Sequence, residues 1–275
     1  MIPITIPFGA QPLDLSLPDE TDILSMSAVT PIADPQRAIA EALEKPIGTP
    51  SLDAVIRARI GHVSQRAGNA GRRPTATIVT ADHTRPVPYK GEQGILWPII
   101  ERLVAAGVKH GDITVLVGTG THHPLTSEIE QMLDPRVLSS GVGVVSHDCR
   151  DADQLRFIGT TARGTEVALN RHYLDADIKI TTSLVESHFL AGASGGRKAI
   201  CPGIIGEKVT YSFHAARMVA SPDSTHMKLD GNPHHEESFA IAGMAPPDFT
   251  VNVTLDSEYR LTGVFAGELD AAHRA

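Results

Sequence analysis

The chain has 275 residues, 41% of them hydrophobic and 20% charged. That is room for one large α/β domain or two small ones with a real core, and it is not the composition of a disordered chain. A formal net charge of −8 and the absence of clustered Lys/Arg exclude a protein that grips nucleic acid by neutralising phosphates, so any anion must be held locally. No apolar run approaches the roughly 20 residues of a membrane span. Met1–Thr5 lacks the basic and apolar regions of a secretory leader. Cys149 and Cys201 form no CxxC pair, so a disulfide framework is not expected and the cytoplasm is the expected compartment.

In chain order, β-branched apolar runs predict strands at Ile2–Phe8, Ala76–Thr80, Ile113–Val117, Val142–Ser146, Ile178–Ser183, Phe249–Leu255 and Tyr259–Val264. Apolar residues at three- and four-residue spacing predict helices over Pro35–Leu43, Leu52–Ile60, Gly91–Ala106 and Thr126–Leu133, with a further helix over Lys208–Met218. Strands alternating with helices predict an α/β fold: a largely parallel sheet with helices on both faces and Gly-rich loops at the strand C-terminal ends, where such sheets bind ligands. The last residues, Gly267–Ala275, read as the opening of a helix without a stop signal. The expected division is a binding domain over 1–265, with 266–275 beginning a helix toward a second domain.

Thirteen histidines against four tyrosines and one tryptophan hint at proton or ligand chemistry. Four clusters stand out, each near a predicted strand end. In the first, Asp82 and Arg85 are three apart, offering a carboxylate to orient a histidine and a planar fork for a substrate carboxylate. Alone, the pair reads equally as an ion pair closing a turn. The second, Gly118-Thr119-Gly120-Thr121-His122-His123-Pro124, lets backbone approach a ligand, although it is neither GxGxxG nor a P-loop. The third, running from Glu186 through His188 to Gly195-Gly196-Arg197-Lys198 and Pro202-Gly203, is the most specific. Its lysine is a candidate nucleophile or covalent anchor if the amine is desolvated. The fourth is His214, which alone reads as an ordinary packed or surface side chain. There is no HExxH and no Cys/His set at zinc spacing. A metal needs either several distant histidines to converge or an organic cofactor that brings most of its own ligands.

Together these segments resemble the lactate racemase family. The resemblance rests on Asp82-x-Thr84-Arg85-Pro86, Gly120-x-His122 with Pro124, His188-Phe189-x-Ala191-Gly192-x-Ser194-Gly195-Gly196-Arg197-Lys198 with Pro202-Gly203, His214, and Leu229-Asp230-Gly231-Asn232-Pro233-His234-His235-Glu236. A histidine ten residues before the lysine of SGGRK and another sixteen after it is the specific part. The resemblance implies a nickel-pincer nucleotide tethered through Lys198, with Gly195, Gly196, Arg197, Thr119 and Gly120 around it and His214 on the nickel. It implies His122 and His188 as catalytic acid/bases, and Asp82 and Arg85 as residues serving the substrate. It further implies a small-molecule 2-hydroxyacid as substrate, cofactor-making enzymes as partners, and a closing C-terminal domain. The implied activity is racemisation or epimerisation by reversible hydride transfer. The competing readings are a cofactor carrier without turnover and an unrelated phosphate-binding, metal-dependent α/β enzyme.

Overall fold

The structure is a computed structural model and describes residues 1–65 and 71–275. Its centre is a six-stranded sheet, whose strands are labelled here in chain order: β1 (Ala76–Ala81), β2 (Ile113–Gly118), β3 (Gly143–Ser146), β4 (Ile178–Leu184), β5 (Phe249–Leu255) and β6 (Leu261–Gly267). The spatial order is β3-β2-β1-β4-β5-β6. All neighbours run parallel except β6, which returns antiparallel on β5. The chain therefore builds outward in one direction from β1, returns to β1's other side with β4, and builds outward again. Loops leaving β1 and β4 diverge, and a crevice opens between them at the strand C-terminal ends.

Because strand side chains alternate, each strand feeds two cores. Ile78, Val115, Ile180 and Val251 pack on one face with Ile39, Leu43, Leu52, Ile56 and Ile99. Those come from helices Pro35–Glu44, Leu52–Gln65 and Leu96–Ala105. Val79 and Leu116 point to the other face and meet Ile200, Ile204, Val209, Phe213 and Ile241. Truncating any of these fully buried aliphatics to Ala removes packing worth about 2–5 kcal/mol. The helix starts follow local chemistry. Asp34 accepts the Arg37 N–H at 3.0 Å, with Pro35 in the first turn. Asn232 accepts the N–H groups of His234 and His235, with Pro233 behind it. Among the described residues no helix is long and apolar enough to cross a membrane.

Several boundaries differ from expectation. Ile2–Phe8 is a strand, but it pairs antiparallel with Gln11–Leu17 in a separate hairpin; the second strand escaped notice because Pro12 and the Gly9 turn interrupt its alternation. The last sheet strand starts at Leu261, not Tyr259. Tyr259 lies in a left-handed turn (φ 61°) whose N–H groups at Glu258 and Arg260 are collected by Asp256. Gly91–Ile95 is a turn, and the helix begins only at Leu96. Thr126–Leu133 shrinks to Glu128–Met132. The helix over Lys208–Met218 is two, Glu207–Phe213 and Ala216–Val219, broken at His214. Within 266–275, β6 runs through Gly267, the helix is Ala271–Arg274, and Ala272 and His273 are buried.

Candidate active site

A cleft of about 260 Å³ lies at the divergence of β1 and β4. Asp82 and Arg85 follow β1, Thr119, Gly120 and His122 follow β2, and His188, Gly195 and Lys198 follow β4; all of them line it, as does His214. Glycines let these segments meet backbone to backbone. Gly120 N–H donates to Gly203 O at 2.9 Å. A Cβ on Gly203 would lie 2.2 Å from Ala199 O, so no side chain fits there. The Thr119 hydroxyl donates to the backbone carbonyl of His147 at 2.7 Å, pinning the second loop to the chain just beyond β3. Ser194 ties the third loop to the end of β4: its hydroxyl donates to Leu184 O and accepts from Glu186 N–H, both at 2.9 Å.

The two candidate acid/base histidines are held in opposite tautomers. Asp82, buried, places Oδ2 2.6 Å from His122 Nδ1. A carboxylate only accepts, so Nδ1 carries the proton and Nε2 offers its lone pair. Thr84 fixes that carboxylate by donating to Oδ1 from its hydroxyl at 2.6 Å and its N–H at 3.2 Å. His188 is the reverse. Its Nδ1 accepts N–H groups from Leu190 at 3.2 Å and Ala191 at 3.1 Å, so the neutral ring carries its proton on Nε2. Desolvation first, then the charges of Lys198 and Arg85, lower the His188 pKa to about 4, and the ring is neutral at pH 7. In their neutral forms the two expected acid/bases therefore face the cleft differently, His122 with an acceptor nitrogen and His188 with a donor.

Arg85 makes a half-exposed ion pair at 2.7 Å with Glu186, the first residue of the third cluster, to which the sequence assigned no role. Lys198 is partly buried, and its pKa is lowered to about 7 by desolvation, then by Arg197 and Arg85. His214 caps Glu207–Phe213, and its Nδ1–H donates to Thr210 O at 2.9 Å. Nε2 is thereby left as a free donor atom for a metal, the arrangement a carbonyl partner imposes on metal-binding imidazoles. Gly196 and Arg197 do not line the cleft. Gly196 N–H is spent on Ser183 and Asn252, both at 3.0 Å, and Arg197 turns into the protein behind the loop.

The sequence reading missed four residues here. The hydroxyls of Thr80 and Thr210 line the cleft yet are buried without a partner. Thr84 lines the cleft as well, and His234 lies behind the lining, its ring 6.0 Å from that of His214. The Thr84 hydroxyl is legible in retrospect, because Asp-x-Thr is the spacing of a side-chain-capped turn. His234 is buried, with Nδ1 3.0 Å from Ser224 Oγ. That oxygen donates its own proton to Met218 O at 2.7 Å, so His234 Nδ1 must donate and its buried Nε2 is left unpartnered.

Doubly wound order, a cleft at the switch between β1 and β4, and an imidazole-rich lining define an α/β domain with a candidate ligand site at its topological switch point. The sequence profile of the lactate racemase N-terminal domain matches residues 8–226, and the chain belongs to the lactate racemase family. It is 30% identical to the lactate racemase of Thermoanaerobacterium thermosaccharolyticum over 99% of its own length, and 29% identical to that of Lactiplantibacillus plantarum over 100%. It spans 61% of each relative. The structure of the T. thermosaccharolyticum lactate racemase apoprotein superposes with a TM-score of 0.80 at 28% identity, covering 99% of this chain and 60% of that one. A Thermotoga maritima crystal structure shares the fold, with a TM-score of 0.61 at 20% identity, covering 83% of this chain and 58% of that one.

Proposed function

We propose that this domain binds a nickel-pincer nucleotide and, with it, racemises or epimerises a small 2-hydroxyacid such as lactate. The single observation behind this reading is the convergence of Lys198, His214, His122 and His188 on one cleft, from three loops that the sequence keeps far apart. The residues fit such a cofactor. Lys198 offers an amine for the tether, His214 Nε2 offers an imidazole nitrogen of the kind nickel takes, and the unpartnered hydroxyls of Thr80 and Thr210 are polar groups in want of a ligand. Thr119, Gly120 and Gly195 supply the close backbone approach.

A 2-hydroxyacid Cα–H is a poor acid, and its removal as hydride is easier when the hydroxyl loses its proton in the same event. When bound, the cofactor supplies the reversible hydride acceptor. The protein's own contribution is proton and charge. His122 Nε2 takes the hydroxyl proton, its ring held in register by Asp82. His188 donates its Nε2–H to a substrate oxygen from the opposite wall. Arg85 exchanges Glu186 for the substrate carboxylate, a bidentate match. His122 would return its proton to the oxoacid's carbonyl oxygen, and with the cofactor supplying hydride to the other face of the carbon the opposite configuration would result.

The test is intact mass and metal analysis of this chain produced alongside the cofactor-making enzymes. The expected result is a covalent adduct with nickel, lost in Lys198→Ala, and nickel lost with adduct retained in His214→Ala. A bare-chain mass without nickel under those conditions overturns the reading.

A further inference from the structure

Arg197 is among the largest fully buried side chains in the molecule, at 1% exposure. Every group its guanidinium meets is neutral: Ala191 O at 2.8 Å, Gly195 O at 3.4 Å, Ser238 Oγ at 3.3 Å, and, at 3.1 Å, His273 Nε2, which itself lies 2.8 Å from Ser194 O. Among the described residues it makes no ion pair. Asp270, a carboxylate in its vicinity, is held by Arg274 through both oxygens at 2.9 Å. Cys201 brings no counter-charge, because burial pushes its thiol up to about 12 and keeps it protonated. A buried charge is normally paired. This one is left as a fixed positive source directly beside Lys198 in the chain, within a tight turn, Gly196–Ala199. His273 wedges the arrangement from behind. Its ring lies against Gly196, where a Cβ would come within 2.7 Å of it.

We propose that Arg197 is a positioning residue that primes Lys198 as an amine nucleophile through its uncompensated buried charge, with His273 holding it in place. The proposal deepens the tether assignment above and rests on it for biological purpose, but its chemistry is independent of the cofactor. The groups acting on the amine are Arg197 and Arg85, Glu186 and Cys201, together with His188 and His234, each of which feels the Lys198 charge. Glu186 opposes Arg85 by direct pairing, and Arg197 has no such opponent.

The experiment is the pH dependence of Lys198 acylation by an N-hydroxysuccinimide ester, read peptide by peptide in a mass spectrometer, with exposed Lys109 as internal reference. The N–C bond forms, the ester C–O bond breaks, N-hydroxysuccinimide leaves, and the amine proton goes to buffer. The unmodified protein is expected to label Lys198 with a midpoint near neutral pH. Arg197→Met is expected to slow labelling at pH 7 at least fivefold and move the midpoint upward, and Arg197→Lys to restore it. Ser238→Asp keeps the guanidinium and gives it a carboxylate; it should raise the midpoint too, and it serves if Arg197→Met does not fold. A folded Arg197→Met or Ser238→Asp protein with an unchanged midpoint overturns the proposal. An Arg197-dependent midpoint without any adduct in the co-production experiment instead sinks the tether reading and leaves this one standing.

Discussion

Replacing Asp82 with Asn probes the proton geometry with almost no change in shape. Thr84 already directs two donors, its hydroxyl at 2.6 Å and its N–H at 3.2 Å, to Oδ1. In the amide, the carbonyl oxygen must take that position and the NH₂ must face His122. His122 Nδ1 then becomes an acceptor and its proton moves to Nε2, the atom that has to receive the substrate proton. The same substitution in a Ser-His-Asp triad lowers turnover ~10⁴-fold by imposing the wrong tautomer. Here a loss of ~10³–10⁴ is expected, about 4–5 kcal/mol of barrier. Turnover is followed by loss of optical activity of a 2-hydroxyacid in the cofactor-loaded protein, and the tautomer by long-range ¹H–¹⁵N NMR of the unloaded protein. Asp82→Asn combined with Thr84→Val frees the amide to rotate and should return part of the Nδ1–H form. A folded Asp82→Asn protein that keeps Nδ1–H, or loses less than tenfold in turnover, refutes the reasoning.

Three further outcomes follow from the same geometry. His234, His235 and His273 are buried with pKa values lowered to about 4, in each case first by desolvation. In the unfolded chain these rings take up protons near pH 6.5, so stability is full above that value and falls as pH drops toward 4. Thermal unfolding should therefore show Tm falling by more than about 10 °C between pH 7 and pH 4.5, and a flat profile over that interval would contradict the burial. Glu186→Gln should release Arg85, improving KM several-fold in steady-state assays while changing urea stability by no more than about 1 kcal/mol, since exposed ion pairs contribute little. Gly203→Ala should cost about 3 kcal/mol or more by urea unfolding because its Cβ has no space, whereas Gly91→Ala, with open surroundings at φ 72°, should cost about 1–2 kcal/mol.

The central sheet was legible because β1, β2, β4 and β5 are each a short apolar run rich in β-branched residues, largely buried on both faces. The lining of the cleft was legible for a different reason: the candidate side chains sit after strand ends beside glycines, where sequence adjacency and spatial neighbourhood coincide. What failed to show depends on contacts between distant segments. Arg197 looked like a ligand-facing cation because it adjoins Lys198, yet the turn sends consecutive side chains to opposite sides, one into the cleft and one into the core. His214 looked helical because nothing local announces the break that turns it outward. Glu186 acquires its meaning only from Arg85, 101 residues away.

That separation has a kinetic consequence. The contacts that assemble the cleft close long chain loops: Asp82 to His122 over 40 residues, Arg197 to His273 over 76, Arg85 to Glu186 over 101. High contact order makes folding slow, and no early, locally formed unit contains more than a fragment of the lining. The complete lining therefore forms only once contacts between distant segments have closed. A chain interrupted anywhere between residues 82 and 273 should be not a weakened receptor but no receptor at all.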